Sequence, residues 1–156
     1  MTEELTIYIV IQKAIEKEIE AQDMYRDLSR RVVDKAARDM FNTLQGVEKK
    51  HEELLRQYQS GAIGEGALKA EHVVDYKIAD YLEAPAITPD MTLADVLLLA
   101  ANREKSSYEL YKALAAEHTA GKIRALFEDL ASQELSHKRR VEDLYNEVAF
   151  PQTHGG

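Results

Sequence analysis

Apolar residues recur at steps of three and four along four stretches of the chain, and charged residues fill most positions between them. This spacing places the apolar side chains on one face of a helix and the charged side chains on the other. The pattern therefore predicts four amphipathic helices, over residues 4–33, 35–59, 92–118 and 122–148.

Turn and capping residues mark the ends of these predicted helices. A short turn around Asp34 separates the first helix from the second. Thr92, with an acid three residues later at Asp95, resembles a capping box at the start of the third helix. That helix continues through the apolar residues Leu97, Leu98 and Ala101.

A long connection, residues 61–91, separates the second predicted helix from the third. It is longer than most loops in compact proteins, and Pro85 and Pro89 keep its second part non-helical. If the second and third helices run in the same direction, this connection must cross the whole bundle, about 35–40 Å. The sequence thus predicts an all-α, antiparallel four-helix bundle, made of two helical hairpins joined by one long crossover.

The two hairpins are related by a step of 86 residues. This step carries Glu18 onto Glu104 and Tyr25 onto Tyr111 without a gap. We therefore interpret the chain as a duplicated helical hairpin. Further identities are mostly apolar and include Val10 with Val96, Ala14 with Ala100, Leu28 with Leu114, Phe41 with Phe127 and Leu44 with Leu130.

Each hairpin contains a glutamate followed three residues later by a histidine. Glu48 precedes His51 in the second helix, and Glu134 precedes His137 in the fourth. Residues three apart lie on one helix face, so each pair directs a carboxylate and an imidazole to a common point. The repetition of this pair at matching positions predicts a site between the hairpins.

Carboxylates on the apolar stripes indicate that this site binds metal. A glutamate on a core-facing position, such as Glu18 or Glu104, is costly to bury unless it is paired or bound to a cation. Glu48 and Glu134 come from opposite hairpins, so we expect them to bridge two metals, with one imidazole on each. Such oxygen-rich ligands suit iron or manganese. The predicted ligands are Glu18, Glu48, His51, Glu104, Glu134 and His137.

Other aromatic and imidazole side chains are given lesser roles. Tyr25 and Tyr111 follow the outer glutamates by seven residues. We expect them to be core aromatics with a hydrogen-bonded hydroxyl, with a part in electron or proton transfer as the alternative. His72, His118 and His154 have no partner at ligand spacing and are expected to be exposed.

Composition narrows the partners and the chemistry. The 28 acidic and 20 basic residues give a net charge of −8 without a basic block, so binding to nucleic acid or an anionic membrane is not expected. The absence of cysteine excludes disulfides, zinc-thiolate sites, iron–sulfur clusters and a thiol nucleophile.

The apolar run at 7–11 is too short to span a bilayer, and no basic region precedes it, so we expect a cytoplasmic protein. The length suits one domain over residues 1–150, with a short tail at 151–156.

The ligand pattern resembles that of the ferritin-like di-iron carboxylate superfamily. Within it, the runs at 18–25, 75–82, 99–104 and 133–138 are similar to those of stand-alone rubrerythrin-like proteins. The resemblance implies a ferritin-like four-helix bundle, usually a homodimer, that binds two iron ions. It also implies reaction of those ions with hydrogen peroxide or dioxygen. Manganese or a mixed metal pair is an alternative to iron.

Two departures from rubrerythrins bear on the function. Rubrerythrins carry a cysteine-ligated rubredoxin domain as their electron source, whereas this chain has no cysteine, so we expect an external electron-donor protein. Rubrerythrins also have a further glutamate three residues after the ligand of the third helix, where this chain has Ser107. The serine leaves a more symmetric site, closer to those of bacterioferritin and ferroxidase-type proteins.

Three functions are consistent with the sequence. The first is a di-iron oxidoreductase that reduces hydrogen peroxide or dioxygen with external electrons. The second is an iron-handling ferroxidase, which binds and oxidises ferrous iron without turnover. The third is a non-catalytic helical interaction module that the metals staple together.

Overall fold

A computed structural model describes residues 3–60, 90–118 and 121–151, with side chains from residue 8 onward. In these ranges the chain forms four α-helices and no strand, which confirms the all-α class. Positions 61–89 of the predicted crossover lie outside the described residues, as do His72, His154 and the tail beyond 151. The helices are α1 (Glu3–Arg31), α2 (Lys35–Gln59), α3 (Leu93–Ala116) and α4 (Lys122–Ala149).

The first helix ends two residues earlier than the sequence predicts. Asp34 adopts an extended backbone conformation (φ −61°, ψ 124°) and caps α2. Its carboxylate accepts a hydrogen bond of 2.9 Å from the backbone N–H of Ala37. Since an N-cap residue has non-helical dihedral angles, α1 must end before it.

The third helix begins with the predicted capping box. The Thr92 hydroxyl accepts a hydrogen bond from the backbone N–H of Asp95 at 3.1 Å. The Asp95 carboxylate accepts one from the backbone N–H of Thr92 at 3.2 Å. The two bonds satisfy donors that have no partner within the helix.

The helices pair as two antiparallel hairpins, α1 with α2 and α3 with α4. The first half of α1, the second halves of α2 and α3, and the first half of α4 meet in one apolar cluster. The opposite halves meet in a second cluster. We call these core cluster I (including Ile15, Leu55, Leu114 and Leu130) and core cluster II (including Leu28, Phe41, Leu97 and Val141).

This arrangement fixes the direction of every helix. Because the second halves of α2 and α3 lie at the same end, these two helices run the same way. The chain between them therefore connects opposite ends of the bundle, as the sequence argument requires. The antiparallel four-helix bundle is confirmed. Among the described residues, no helix is long and apolar enough to cross a membrane.

Only one of two adjacent leucines in α3 is buried. Leu97 is fully buried, but Leu98 is 46% exposed. Neighbouring residues on an α-helix are separated by about 100° around its axis. The two side chains therefore diverge, and only Leu97 reaches core cluster II.

Candidate metal centre

A layer of buried ionisable side chains lies between core clusters I and II. All six residues predicted as metal ligands are in this layer, and none is more than 7% exposed. All four helices contribute to it, and each hairpin supplies two glutamates and one histidine. α1 supplies Glu18, α2 Glu48 and His51, α3 Glu104, and α4 Glu134 and His137.

The ligand-type atoms of these residues form two overlapping groups of four. Within each group, one oxygen or nitrogen atom per residue lies within 4.8 Å of the others. Glu48 and Glu134 belong to both groups, so their carboxylates are placed to bridge two neighbouring cations. The first group is Glu18, Glu48, His51 and Glu134, and the second is Glu48, Glu104, Glu134 and His137.

Unsatisfied polar atoms show that the layer fits a pair of cations. Seven buried side-chain atoms of the described residues have no hydrogen-bond partner, and all seven belong to these six side chains. A buried polar atom without a partner is destabilising by about 1–3 kcal/mol. Divalent cations coordinated by carboxylate oxygen and imidazole nitrogen would satisfy such atoms.

Both imidazoles turn Nδ1 toward the carboxylates. Nδ1 of His51 lies 2.9 Å from an oxygen of Glu134, and Nδ1 of His137 lies 3.3 Å from an oxygen of Glu48. Neither nitrogen has hydrogen-bond geometry with a protein atom, despite these short distances. The two rings are nearly parallel, with an interplanar angle of 13° and centroids 6.1 Å apart. Nδ1 is therefore the nitrogen available to a metal in both halves of the site.

The protonation of the carboxylates reflects their crowding. Burial and the charge of Glu48 raise the pKa of Glu18 well above its usual range. Burial and the charges of Glu104 and Glu48 raise the pKa of Glu134 in the same way. Burial alone would raise the pKa of Glu48 too, but interactions with Glu18 and the two histidines hold that pKa well below its usual range. Without metal, protons on some carboxylates reduce the repulsion among them.

The two imidazoles are held in the protonated form by the same carboxylates. Burial alone would lower the pKa of His137, but Glu104 and Glu48 raise it to about 9. Burial likewise opposes the charged form of His51, and its carboxylate neighbours, Glu134 first, outweigh that effect and raise its pKa. In the metal-free protein, these protons supply positive charge where a metal would otherwise do so.

Two buried tyrosines connect the hairpins at the outer glutamates. The Tyr25 hydroxyl on α1 donates a hydrogen bond to Glu104 on α3. The Tyr111 hydroxyl on α3 donates one to Glu18 on α1. Burial and the nearby carboxylates raise the pKa of both phenols well above the usual value. Each tyrosine therefore stays protonated and leaves the second oxygen of its glutamate available to a metal.

Aromatic stacking fixes the position of these tyrosines. The Tyr25 ring stacks on Phe41, with centroids 5.8 Å apart. The Tyr111 ring stacks on Phe127 in the same way, at 6.3 Å. Phe41 and Phe127 are themselves related by the 86-residue step, so the duplication extends to the residues that support the site.

A buried arginine beside the site is absent from the sequence prediction. Arg103 is 4% exposed and donates hydrogen bonds to the Ser107 hydroxyl and, at 2.7 Å, to the backbone carbonyl of Lys17. Burial opposes its charge, but Glu18 and other groups of the site outweigh this and raise its pKa. The signal in the sequence was a single cation, Arg103, between the apolar run from 96 to 101 and the ligand Glu104.

Ser107 lies at the position where rubrerythrins have an additional glutamate. It is buried and accepts the hydrogen bond from Arg103. The neutral hydroxyl leaves the guanidinium charge uncompensated at this position. Arg103 therefore acts on the carboxylates of the metal centre and not on a local carboxylate partner.

The remaining described histidine differs from its prediction. His118 is half-buried and not exposed, because its ring stacks on Phe127 with a centroid distance of 5.7 Å. The 86-residue pattern did not predict this contact, since His118 lies beyond the ligand positions. His118 is distant in sequence from both groups of ligand atoms and belongs to neither.

Comparison with known proteins agrees with this fold. The rubrerythrin family model matches residues 95–153. A hypothetical protein of Pyrococcus furiosus has 24% sequence identity and a TM-score of 0.70, over 92% of this chain and 90% of that chain. A candidate ferritin-like di-iron carboxylate protein of Thermotoga maritima has 21% identity and a TM-score of 0.73, over 95% of this chain and 97% of that chain. None of the curated proteins compared with the chain matches it.

The chain has the same four-helix fold as these two structures, with a buried cluster of carboxylates and histidines in two overlapping groups that could each hold a metal ion. The rubrerythrin model matches the part of the chain that contains most of α3 and all of α4, which supply Glu104, Glu134 and His137. The resemblance inferred from the sequence is thereby confirmed.

Proposed function

We propose that the protein is a di-iron carboxylate oxidoreductase that reduces hydrogen peroxide or dioxygen with electrons from an external protein. The observation that supports it is the set of seven buried, unpaired ligand atoms, all on the six predicted ligands. Buried polar groups in proteins nearly always have a partner, and bound cations would provide one for these seven atoms. Iron is the proposed metal, because the ligands are mostly carboxylate oxygens with one imidazole for each position.

When bound, two ferrous ions would supply the two electrons that convert hydrogen peroxide and two protons into two waters, or dioxygen and two protons into hydrogen peroxide. Glu48 and Glu134 each belong to both ligand groups, so each carboxylate would be available to both metal positions. Tyr25 and Tyr111 orient the outer glutamates and keep a proton on each phenolic oxygen. The core clusters exclude bulk water above and below the layer.

The proposed reaction needs a source of electrons. The sequence has no cysteine, and protein-bound iron–sulfur centres require cysteine thiolates. We therefore propose a separate electron-donor protein, with the metal centre buried in the middle of the bundle as the acceptor.

A second function, ferrous iron oxidation for iron handling, is favoured by one observation. At Ser107 the site has a hydroxyl and no additional carboxylate, so the set of glutamates and histidines is the same in each hairpin. Such a site binds and oxidises ferrous iron without a requirement for an electron donor. The two functions differ in whether the oxidised centre is reduced again.

Stopped-flow oxidation of the ferrous-loaded protein tests the proposal. We expect oxidation by peroxide or dioxygen to be faster than that of free ferrous iron, and Glu134→Gln to remove the acceleration. Glu53→Gln is the matched control, because Glu53 is an exposed acid on α2, five residues after Glu48. This variant should react like the wild type.

The fate of the oxidised protein separates the alternatives. Repeated turnover with an added reductant supports the oxidoreductase. A single oxidation followed by release or accumulation of ferric iron supports iron handling. Bound metal without any oxidation contradicts both and leaves a metal-stapled interaction module.

A further inference from the structure

One difference between the two halves of the metal layer lies at a pair of positions related by the 86-residue step. Gln133 precedes the ligand Glu134, and its counterpart, Val47, precedes the ligand Glu48. The amide oxygen of Gln133 lies 2.6 Å from Nε2 of His51. Valine offers no hydrogen-bond acceptor in its side chain, so position 47 cannot support His137 in the same way.

This contact orients one imidazole and not the other. With Nδ1 of His51 directed at the carboxylates, Nε2 carries the hydrogen and donates it to the Gln133 amide oxygen. For Nε2 of His137, no protein hydrogen-bond partner is found in the part of the chain that the structure describes. His137 is also somewhat more exposed, at 7% against 3% for His51.

The carboxylates also lie closer to His51 than to His137. Nδ1 of His51 has three carboxylates within 4 Å, with the nearest oxygen at 2.9 Å. Nδ1 of His137 has two, with the nearest at 3.3 Å. The half containing His51 is thus the more compact as well as the better oriented.

We propose that Gln133 is a positioning residue that makes the His51 half the tighter of the two metal sites, so that the metals bind in two separate steps. This rests on the proposed function, since it presupposes a dinuclear centre. A hydrogen bond to the second nitrogen of a ligating histidine fixes the ring and increases its basicity, and losing such a partner typically lowers metal affinity 10- to 100-fold. Gln133 is exposed, where water competes for the bond, so we expect a difference near the lower limit, about 10-fold.

A titration of the metal-free full chain with Co²⁺, followed by calorimetry and visible absorption, measures the two steps. In the wild type we expect two binding events separated by about 10-fold in affinity. Gln133→Val should weaken the first event and leave the second unchanged. Gln133→Glu keeps an acceptor of the same length and should restore the first event. Val47→Gln places an acceptor beside His137 and should strengthen the second.

A second readout separates positioning from a general effect on stability. In the Co²⁺-loaded protein, the ring N–H hydrogens of the two histidines give paramagnetically shifted, exchangeable proton signals. The His51 N–H should exchange with solvent more slowly than the His137 N–H. Gln133→Val should accelerate the first exchange alone, while Val47→Gln should slow the second alone.

The results of the Co²⁺ titration distinguish a failure of this inference from a failure of the proposed function. Two equal binding events in the wild type, or a first event that Gln133→Val leaves unchanged, would overturn the inference but not the dinuclear site. An equal shift of both events in Gln133→Val would also overturn it. Binding of fewer than two Co²⁺ per chain would overturn the proposed function itself. Because Gln133 is on the surface, its substitution is compatible with folding, and Val47→Gln provides an independent test.

Discussion

Tyr25 of the first hairpin donates its phenolic hydrogen to Glu104 of the second, and the duplicated pair Tyr111 and Glu18 returns the same bond in the opposite direction. The outer ligands of each half are thus oriented by the other half. The hairpins depend on each other for the geometry of the site as well as for the core.

Removal of one phenolic hydroxyl should weaken both the fold and the site. Tyr25→Phe leaves a buried Glu104 oxygen without its donor, a change that costs about 1–3 kcal/mol of unfolding free energy. It should also weaken metal binding in the half that contains Glu104. Chemical denaturation of the metal-free protein and metal titration measure the two effects.

Tyr58→Phe is the control for this prediction. The Tyr58 hydroxyl donates to the backbone carbonyl of Lys122 at 2.8 Å, away from the metal layer. Its loss should reduce stability and leave metal affinity unchanged. Equal effects of the Tyr25 and Tyr58 substitutions on metal affinity would contradict the role assigned to Tyr25.

Bridging and outer carboxylates should differ in the number of metals they retain. Glu48 belongs to both ligand groups and Glu18 to one. We therefore expect Glu48→Ala to reduce bound metal to less than one ion per chain, and Glu18→Ala to retain about one. Elemental analysis after metal loading and gel filtration gives the count. Retention of two ions by Glu48→Ala would exclude the bridging role.

The stability of the metal-free protein should fall as the pH rises from about 6.5 to 9. His137 has a pKa raised to about 9 from 6.5, so its stabilising contribution is complete below 6.5 and is lost as pH rises through 9. Glu18 and Glu134 have raised pKa values, and their loss of protons at higher pH acts in the same direction.

Metal should reverse this dependence, because cations displace the protons from the ligands and bind more tightly at higher pH. Melting temperatures at pH 6.5 and pH 9, with and without metal, measure both trends. A metal-free protein that melts at a higher temperature at pH 9 than at pH 6.5 would be inconsistent with the protonated site described here.

Arg103 should raise the reduction potential of the metal centre. Its buried positive charge lies beside the carboxylates and favours the state with less metal charge. Arg103→Met should lower the potential by an amount on the order of 60 mV, a tenfold change for a one-electron couple. Arg103→Lys keeps the charge and should restore much of the potential, which a redox titration measures.

Lys17 supplies the matched control, since it occupies the position that corresponds to Arg103 in the first hairpin. Its ammonium pairs with Glu20 at 2.8 Å and not with the site. Lys17→Met should therefore leave the potential close to that of the wild type. A similar shift in both variants would indicate a general effect of net charge.

The sequence predicted the six buried side chains because two signals coincide at them. The apolar stripes define which face of each helix is buried, and the 86-residue repeat selects the ionisable residues on that face. Both signals are local to a helix or a hairpin, so they can be recognised without knowing which helices are in contact. The capping box at Thr92 was predictable for the same reason.

Contacts between hairpins were beyond this reasoning. The bonds from Tyr25 to Glu104 and from His51 to Gln133 depend on the pairing of α1 with α3 and of α2 with α4. Periodicity within one helix does not specify which helices are neighbours. Arg103 was missed because a cation one residue before a ligand is expected to point in another direction, whereas its long side chain reaches the backbone of α1.

Anomalous diffraction from crystals of the iron-loaded protein tests the dinuclear centre most directly. We predict two iron peaks about 3.5–4 Å apart, both in contact with Glu48 and Glu134 and each in contact with one histidine Nδ1. A single peak, or peaks outside the layer between the two apolar clusters, would contradict the assignment.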